Sequence, residues 1–239
     1  VTGVQTCALP ISEVLNQKRR EMEITTYGHE LTDEERDALD RLQESQKAAE
    51  QAKRKSAEFD EWKAKQLSQI PPRFTGKAFG NYMTQKPEHR EVISHLQSGR
   101  SAIVYGGNGV GKTHLAFAAI RHQIEAGVSS RYVLAFDFFT EVKRSFRDDS
   151  TDAILKRYAT AGYLVIDEVD KAFGSQTEFV YLYSLVNERY NRMLPTVLIT
   201  NADEADLVSV IGASTLSRVA GDGAIIELKG EDYRQRMLA

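Results

Sequence analysis

From residue 70 onward the chain predicts an α/β fold, a five-stranded parallel sheet flanked by helices. Three observations predict it. Short apolar runs alternate with longer amphipathic segments. One such run, "SAIV", feeds a glycine-rich loop that opens directly into a helical pattern, and another, "YLVIDE", ends in two adjacent carboxylates. Strands covered on both faces read as continuous apolar runs rather than as alternating ones, and these segments do so.

The elements follow in order. Residues 13 to about 68 are dense in Glu, Lys, Arg, Gln and Ala, and "LTDEERDALDRLQESQKAAEQAKRKSAEFDEWKAKQLSQ" reads as one long helix. Thr32 is its expected N-cap, with Glu35 as the capping-box partner. Leu39, Leu42, Phe59, Trp62 and Leu67 are its few apolar residues, too thin a stripe for a core of its own. Two readings stand: a solvated helix, or a helix that packs only against a partner. "IPPRF" ends it, because proline cannot continue a helix. Beyond it, "PEHREVISHLQ" reads as a helix and "SAIVYG" as a buried strand. The loop and its helix run to about Ala126. "RYVLAFD" reads as a second strand, with "FFTEVKRSF" and "TDAILKRYA" helical. "YLVIDE" is the third strand, "QTEFVYLYSLVNERYNRM" an amphipathic helix, "TVLIT" the fourth strand and "AIIEL" the fifth. The expected division is a helical partner-binding extension over 12–69 and the α/β core over 70–239.

The first eleven residues, "VTGVQTCALPI", read as the in-frame translation of a short-read sequencing adaptor and are set aside from fold reasoning. They hold the single cysteine, Cys7, so the remainder offers no disulfide and no cysteine-ligated metal. Of the 239 residues 27 % are charged, yet the net charge is only −3, so contact with nucleic acid must come from a local patch. No apolar run approaches the length of a membrane span, and no basic stretch precedes an apolar core as in a secretory signal. The expected setting is cytoplasmic.

Gly106, Gly111, Lys112 and Thr113 meet the pattern G-x-x-x-x-G-K-[ST] between a strand and a helix. Glycines let the backbone curl so that successive N–H groups point at one anion, and the following helix adds the positive end of its dipole. The loop residues Gly106, Gly107, Asn108, Gly109, Val110 and Gly111, with Lys112, Thr113 and His114, are therefore the expected ATP cradle. Lys112 faces the β- and γ-phosphates, and the Thr113 hydroxyl ligates Mg²⁺. Asp167 at the end of "YLVIDE" would share the Mg²⁺ shell, and Glu168 would deprotonate the attacking water. Loop, apolar strand and acidic pair together point to hydrolysis. Thr200 and Asn201 end the next strand and can hydrogen-bond the γ-phosphate or the lytic water.

This set marks AAA+ ATPases. More closely, "IPPRFTGKAFGNY", "GGNGVGKTHLAFAAI", "LVIDEVDKAFGSQTEFVYLYSLVNERY", "PTVLITN" and "DYRQR" resemble the DnaC-type replicative helicase loaders, with the related IstB-type transposition helpers sharing the core. The resemblance spans residue 70 to the C-terminus. It implies an AAA+ core without a C-terminal helical lid, an N-terminal extension that grips a hexameric helicase, a core that contacts single-stranded DNA, and a homo-oligomer on nucleotide or DNA. It also places Arg218 where the clade has an arginine acting on a neighbouring subunit's nucleotide. The bland reading of Arg218 is an arginine bonding local carbonyls at a helix end. Departures are Ser214 where relatives often carry Arg, the absence of an N-terminal cysteine cluster, and Asp170 where relatives often have Gly. Spacing offers no physical account of Asp170.

Lys143, Arg144 and Arg147, with Phe146 beside them, are the candidate DNA contacts. Their alternative is a solvated helix face paired with Asp148 and Asp149. The expected function is loading a helicase on single-stranded DNA, with ATP hydrolysis as the release switch. The rivals are a transposition helper and a nucleotide-dependent scaffold with little turnover.

Overall fold

The computed structural model describes residues 31–82, 87–171 and 175–233, with scattered positions between 16 and 28. The adaptor-like string lies outside the described residues. The chain divides into two units, Val1–Phe59 and Asp60–Ala239.

The first unit carries most of helix α1 (Asp33–Leu67), none of whose residues is buried. The capping box forms: Glu35 N donates to Thr32 Oγ1 at 3.3 Å, and Thr32 N donates to Glu35 Oε2 at 2.9 Å. Asp33, Glu34 and Glu35 in the first turn complement the helix dipole. The last turns of α1 belong to the second unit, where Trp62, Leu67 and the following Ile70 pack on its core.

The second unit holds α2 (Pro87–Gln97), β1 (Ser101–Tyr105), α3 (Lys112–Glu125), β2 (Ser130–Leu134), α4 (Ala135–Ser145) and α5 (Thr151–Ala159). These are followed by β3 (Tyr163–Asp167), α6 (Gln176–Asn191), β4 (Thr196–Thr200), α7 (Leu207–Ile211), α8 (Ala213–Gly221) and β5 (Gly223–Glu227). The sheet is parallel, in the order β2-β3-β4-β1-β5. Every residue of β3 and β4 is buried. Side chains alternate between two cores. Ile103, Leu164, Ile166 and Leu198 face the side covered by α4 to α8, and Ala102, Val104, Val165 and Val197 face α2 and α3. Because β1 lies between β4 and β5, the crevice beyond its C-terminal end falls where the strand order switches, the usual place for a ligand in such a sheet.

One local expectation is corrected. "RYVLAFD" is not all strand: β2 stops at Leu134 and Ala135 starts α4 with no intervening loop. Ala135, Phe138, Phe139 and Val142 recur at helical spacing and are all buried, so the apolar period has already changed at Ala135. The segment before β5 forms the two short helices α7 and α8, seated by Leu207, Ile211, Thr215 and Val219.

Arg189 of α6 is fully buried. Its guanidinium donates to the Thr196 hydroxyl at 2.9 Å and to the carbonyls of Tyr158 at 2.8 Å, Ala161 at 2.7 Å and Pro195 at 2.5 Å. It thereby ties the segments entering β3 and β4, the two strands whose far ends carry Asp167 and Thr200. Among the described residues no helix is long and apolar enough to cross a membrane.

Candidate active site

The phosphate loop leaves β1 and enters α3. Gly109 and Gly111 have φ of +72° and +101°, conformations that favour glycine. The space beside them is also closed: a Cβ on Gly111 would lie 2.6 Å from the Tyr82 ring, and one on Gly109 only 1.7 Å from Asp232 Oδ1. The loop is held from both sides. The Tyr82 hydroxyl donates to the Val110 carbonyl at 2.8 Å, and Tyr233 N donates to the Gly109 carbonyl at 3.1 Å. Leu228 N donates to the Tyr105 carbonyl at 2.8 Å, which brings the exit of β5 alongside the loop. Gly107 and Asn108 form its exposed tip. His114 turns away, with Nε2 3.1 Å from the Ala78 carbonyl and 3.0 Å from Asn81 Oδ1, and burial lowers its pKa.

Lys112 is buried, and its ammonium donates to the Gly106 and Gly107 carbonyls, both at 2.7 Å, and to Asn201 Oδ1 at 2.9 Å. The structure therefore brings together the loop lysine and Asn201, residues 89 positions apart in sequence. Thr113 Oγ1 donates to Asp167 Oδ2 at 2.8 Å, and the Tyr132 hydroxyl donates to the same oxygen at 3.0 Å. Burial raises the pKa of Asp167, opposed by those two bonds and by one from Glu168 N. Burial also raises the pKa of Tyr132, with the Asp167 charge adding to it, so Tyr132 stays a donor.

Glu168 has φ +56°, uncommon for a side chain of its size, and its carboxylate pairs with Lys171 Nζ at 2.7 Å. Asp170 accepts from the Thr200 hydroxyl at 3.0 Å, from Asn201 N at 2.9 Å and from Asn201 Nδ2 at 3.2 Å. Burial alone would raise the Asp170 pKa, but the bonds from Asn201 and Thr200 outweigh it and hold the carboxyl below its ordinary range. This supplies the missing physical account of Asp170. It also means that the Thr200 hydroxyl is directed to Asp170.

The donor set fits Mg²⁺. The Thr113 hydroxyl and the Asp167 carboxylate are hard oxygens within hydrogen-bond reach of each other, and Mg²⁺ at phosphate sites is held by one or two such groups together with phosphate oxygens.

The other expected residues stand apart from this cluster. Arg218, on α8, donates to Asn187 Oδ1 at 2.8 Å, to the Tyr183 hydroxyl at 3.0 Å and to the Ser214 carbonyl at 3.1 Å, and it stacks on the Tyr183 ring. Lys143 pairs with the buried Glu178 of α6 at 2.6 Å. Arg144 and Arg147 are exposed, but α4 ends at Ser145, so Arg147 lies just past the helix rather than one turn along it. Phe146 is exposed beside Tyr181. Sequence reasoning missed Tyr82, Tyr132, Lys171 and Asp232. Their roles come from strand order and chain return, which local spacing does not encode.

The model of the family described as IstB-like ATP binding protein matches residues 22–238. The ATP-binding protein of insertion sequence IS5376 from Geobacillus stearothermophilus is 25 % identical over 180 residues, covering 71 % of this chain and 71 % of that protein. The replicative helicase loader DnaC of Escherichia coli strain K12 is 24 % identical over 181 residues, covering 71 % of this chain and 74 % of that one. The crystal structure of the DnaC helicase loader superposes with a TM-score of 0.60 at 20 % identity, over 66 % of this chain and 100 % of that chain.

Proposed function

The chain belongs to the IstB-like ATP-binding protein family and is an AAA+ ATPase, and from that premise we propose that it loads a hexameric replicative helicase onto single-stranded DNA in the cytoplasm. The observation that carries the partner-binding part is α1. A helix of 35 residues that buries none of them, and that exposes Leu42 and Phe59, presents apolar side chains suited to a partner's surface. The similarity to a helicase loader over 74 % of that protein's length supports the same reading.

In this reading Lys112 exchanges its bonds to the loop carbonyls for the β- and γ-phosphates of ATP. The Thr113 hydroxyl and the Asp167 carboxylate hold Mg²⁺. When bound, the ion polarises the phosphate oxygens and offsets the charge that develops on them. Glu168 leaves Lys171 to take a proton from the attacking water. Arg218 leaves Tyr183 and Asn187 to reach the γ-phosphate on an adjacent copy in a homo-oligomer. Arg144, Arg147 and, on release from Glu178, Lys143 meet DNA phosphates. Hydrolysis then frees the helicase.

A second reading, an ATPase that assists a transposase, is favoured by the insertion-sequence relative, which is as similar as the loader. The test is co-purification of the chain with the replicative helicase and, separately, with the transposase encoded in its own genome, with and without ATP. A stable helicase complex that dissociates on hydrolysis supports loading. Capture of the transposase without the helicase overturns it.

A further inference from the structure

Asp170 sits in a single 3-10 turn, Val169–Lys171, directly after β3. Strands β3 and β4 are neighbours, so this turn lies beside Thr200 and Asn201 at the end of β4. The Thr200 hydroxyl donates to Asp170 at 3.0 Å and accepts from Ala202 N at 3.0 Å, which commits it to local structure. Asn201 is held at both ends. Its backbone N–H and its side-chain amide meet Asp170, and the other end of that amide meets the Lys112 ammonium.

The chemistry of these two neighbours dictates which way the amide points. An ammonium can only donate, so the Asn201 atom facing Lys112 is the carbonyl oxygen. A carboxylate can only accept, so the atom facing Asp170 is the nitrogen. We propose that Asp170 is a positioning residue for Asn201, locking its amide so that an acceptor rather than a donor is presented to Lys112 and the phosphate loop. Asn201 then turns its NH₂ end to Asp170 and offers its oxygen, rather than an N–H, toward Lys112 and the loop. It acts by accepting a hydrogen bond from the attacking water, or from Lys112 until ATP draws that ammonium away. A water that donates one proton to Glu168 and the other to Asn201 Oδ1 has its lone pair left to attack phosphorus. The P–O bond forms, the bond to the leaving phosphate oxygen breaks, and the proton passes to Glu168. A glycine at position 170 would leave the Asn201 amide free to turn over.

The inference rests on ATP hydrolysis at this site and is independent of the partner the ATPase serves. It is tested on the full chain with Asp170→Ala, Asp170→Asn, Asn201→Ala, Asn201→Asp and their combinations. Turnover, affinity for a fluorescent ATP analogue and melting temperature are measured for each, with wild-type turnover and Lys112→Ala as controls. If wild type does not hydrolyse ATP, the assignment of the site fails before Asp170 is in question. With wild type active, Asp170→Ala is expected to lower kcat by about 10–100-fold, with nucleotide affinity held within about threefold. In the Asn201→Ala background the same change should have no further effect on kcat. A merely structural role would instead lower the melting temperature and multiply the loss in both backgrounds.

The decisive variant is the exchange Asp170→Asn with Asn201→Asp. It keeps an acceptor toward Lys112 and a donor–acceptor pair between positions 170 and 201. Each single change is expected to be poor and the exchange to recover at least tenfold over either. This arm also covers the case in which Asp170→Ala does not fold. If position 201 worked by donating to the γ-phosphate, the exchanged carboxylate could not do so. A folded exchange variant no better than the singles would overturn the proposal, as would full additivity of Asp170→Ala with Asn201→Ala.

Discussion

Replacing Arg189 by methionine tests whether the entries to β3 and β4 depend on one buried guanidinium. Methionine fills much of the same volume without donating. The Tyr158 and Ala161 carbonyls then lose the guanidinium that each now accepts from, while the Pro195 carbonyl keeps a bond from Leu164 N at 3.3 Å. An unmet buried acceptor costs about 1–3 kcal/mol, and hydrogen bonds to a charged donor contribute about 1.5–3 kcal/mol each. Against this stands the cost of burying the charge, seen as an Arg189 pKa pulled down to about 10 by desolvation. That shift corresponds to roughly 3 kcal/mol. The net expectation is a loss of about 3–5 kcal/mol, or on the order of 10 °C in Tm for a chain of this size. Urea unfolding followed by circular dichroism measures it, with the m-value expected to stay unchanged. Arg189→Lys should lose more than half as much, because a single ammonium cannot span carbonyls contributed by the ends of α5 and β4. ATP hydrolysis well below the transition should stay within a few-fold of wild type, since the clamp lies at the other end of the strands. A loss of unfolding free energy below about 1 kcal/mol would refute the reasoning, because it would mean that the orphaned carbonyls are rehydrated at no cost.

Lys112→Ala should abolish tight ATP binding, whereas Glu168→Gln should bind ATP and turn it over about 10²–10⁴-fold more slowly. A fluorescent nucleotide and a phosphate-release assay separate the two, and wild-type turnover in Glu168→Gln would remove Glu168 as the base. Arg218→Ala should bind ATP normally but hydrolyse it poorly, and mixing it with inactive Lys112→Ala should restore activity if the arginine acts on a neighbour. No recovery in samples shown to co-assemble would leave Arg218 as the local clasp on Tyr183 and Asn187. Replacing Lys143, Arg144 and Arg147 together by alanine should weaken single-stranded DNA binding and flatten its salt dependence, with a slope smaller by about 0.7 for each phosphate no longer neutralised. Fluorescence anisotropy across a salt titration reads this, and an unchanged slope would exclude the patch.

The phosphate loop and the acidic strand end were legible because their chemistry restricts residue type at fixed spacing. Gly106, Gly111, Lys112 and Thr113 must be contiguous to cradle an anion, and Asp167 must end a buried strand. What was not legible depends on which strands become neighbours. Tyr132 reaches Asp167 because β2 pairs with β3, and Asp170 reaches Asn201 because β3 pairs with β4. Neither adjacency is written in local spacing. The run from Arg131 to Asp137 contains no Gly or Pro, so only the apolar period marks the change from strand to helix. Grouping Lys143 with Arg147 as a DNA patch rests on helical i, i+4 spacing. The real α4 stops at Ser145, and Glu178 of the distant α6 takes Lys143.

The loop pattern G-x-x-x-x-G-K-[ST] treats its four middle positions as interchangeable, and in this fold they are not. At Gly107 the nearest atom to an added Cβ is a methyl of Val110, 3.9 Å away, so a side chain there meets open space. At Gly109 the same addition meets both a left-handed backbone and the Asp232 carboxylate of the returning chain. The stretch after β5 therefore removes a degree of sequence freedom from a loop more than a hundred residues before it. A side chain at position 109 would have to tolerate the left-handed backbone and also displace the Asp232 carboxylate, so the returning chain adds a second constraint to one the backbone already imposes.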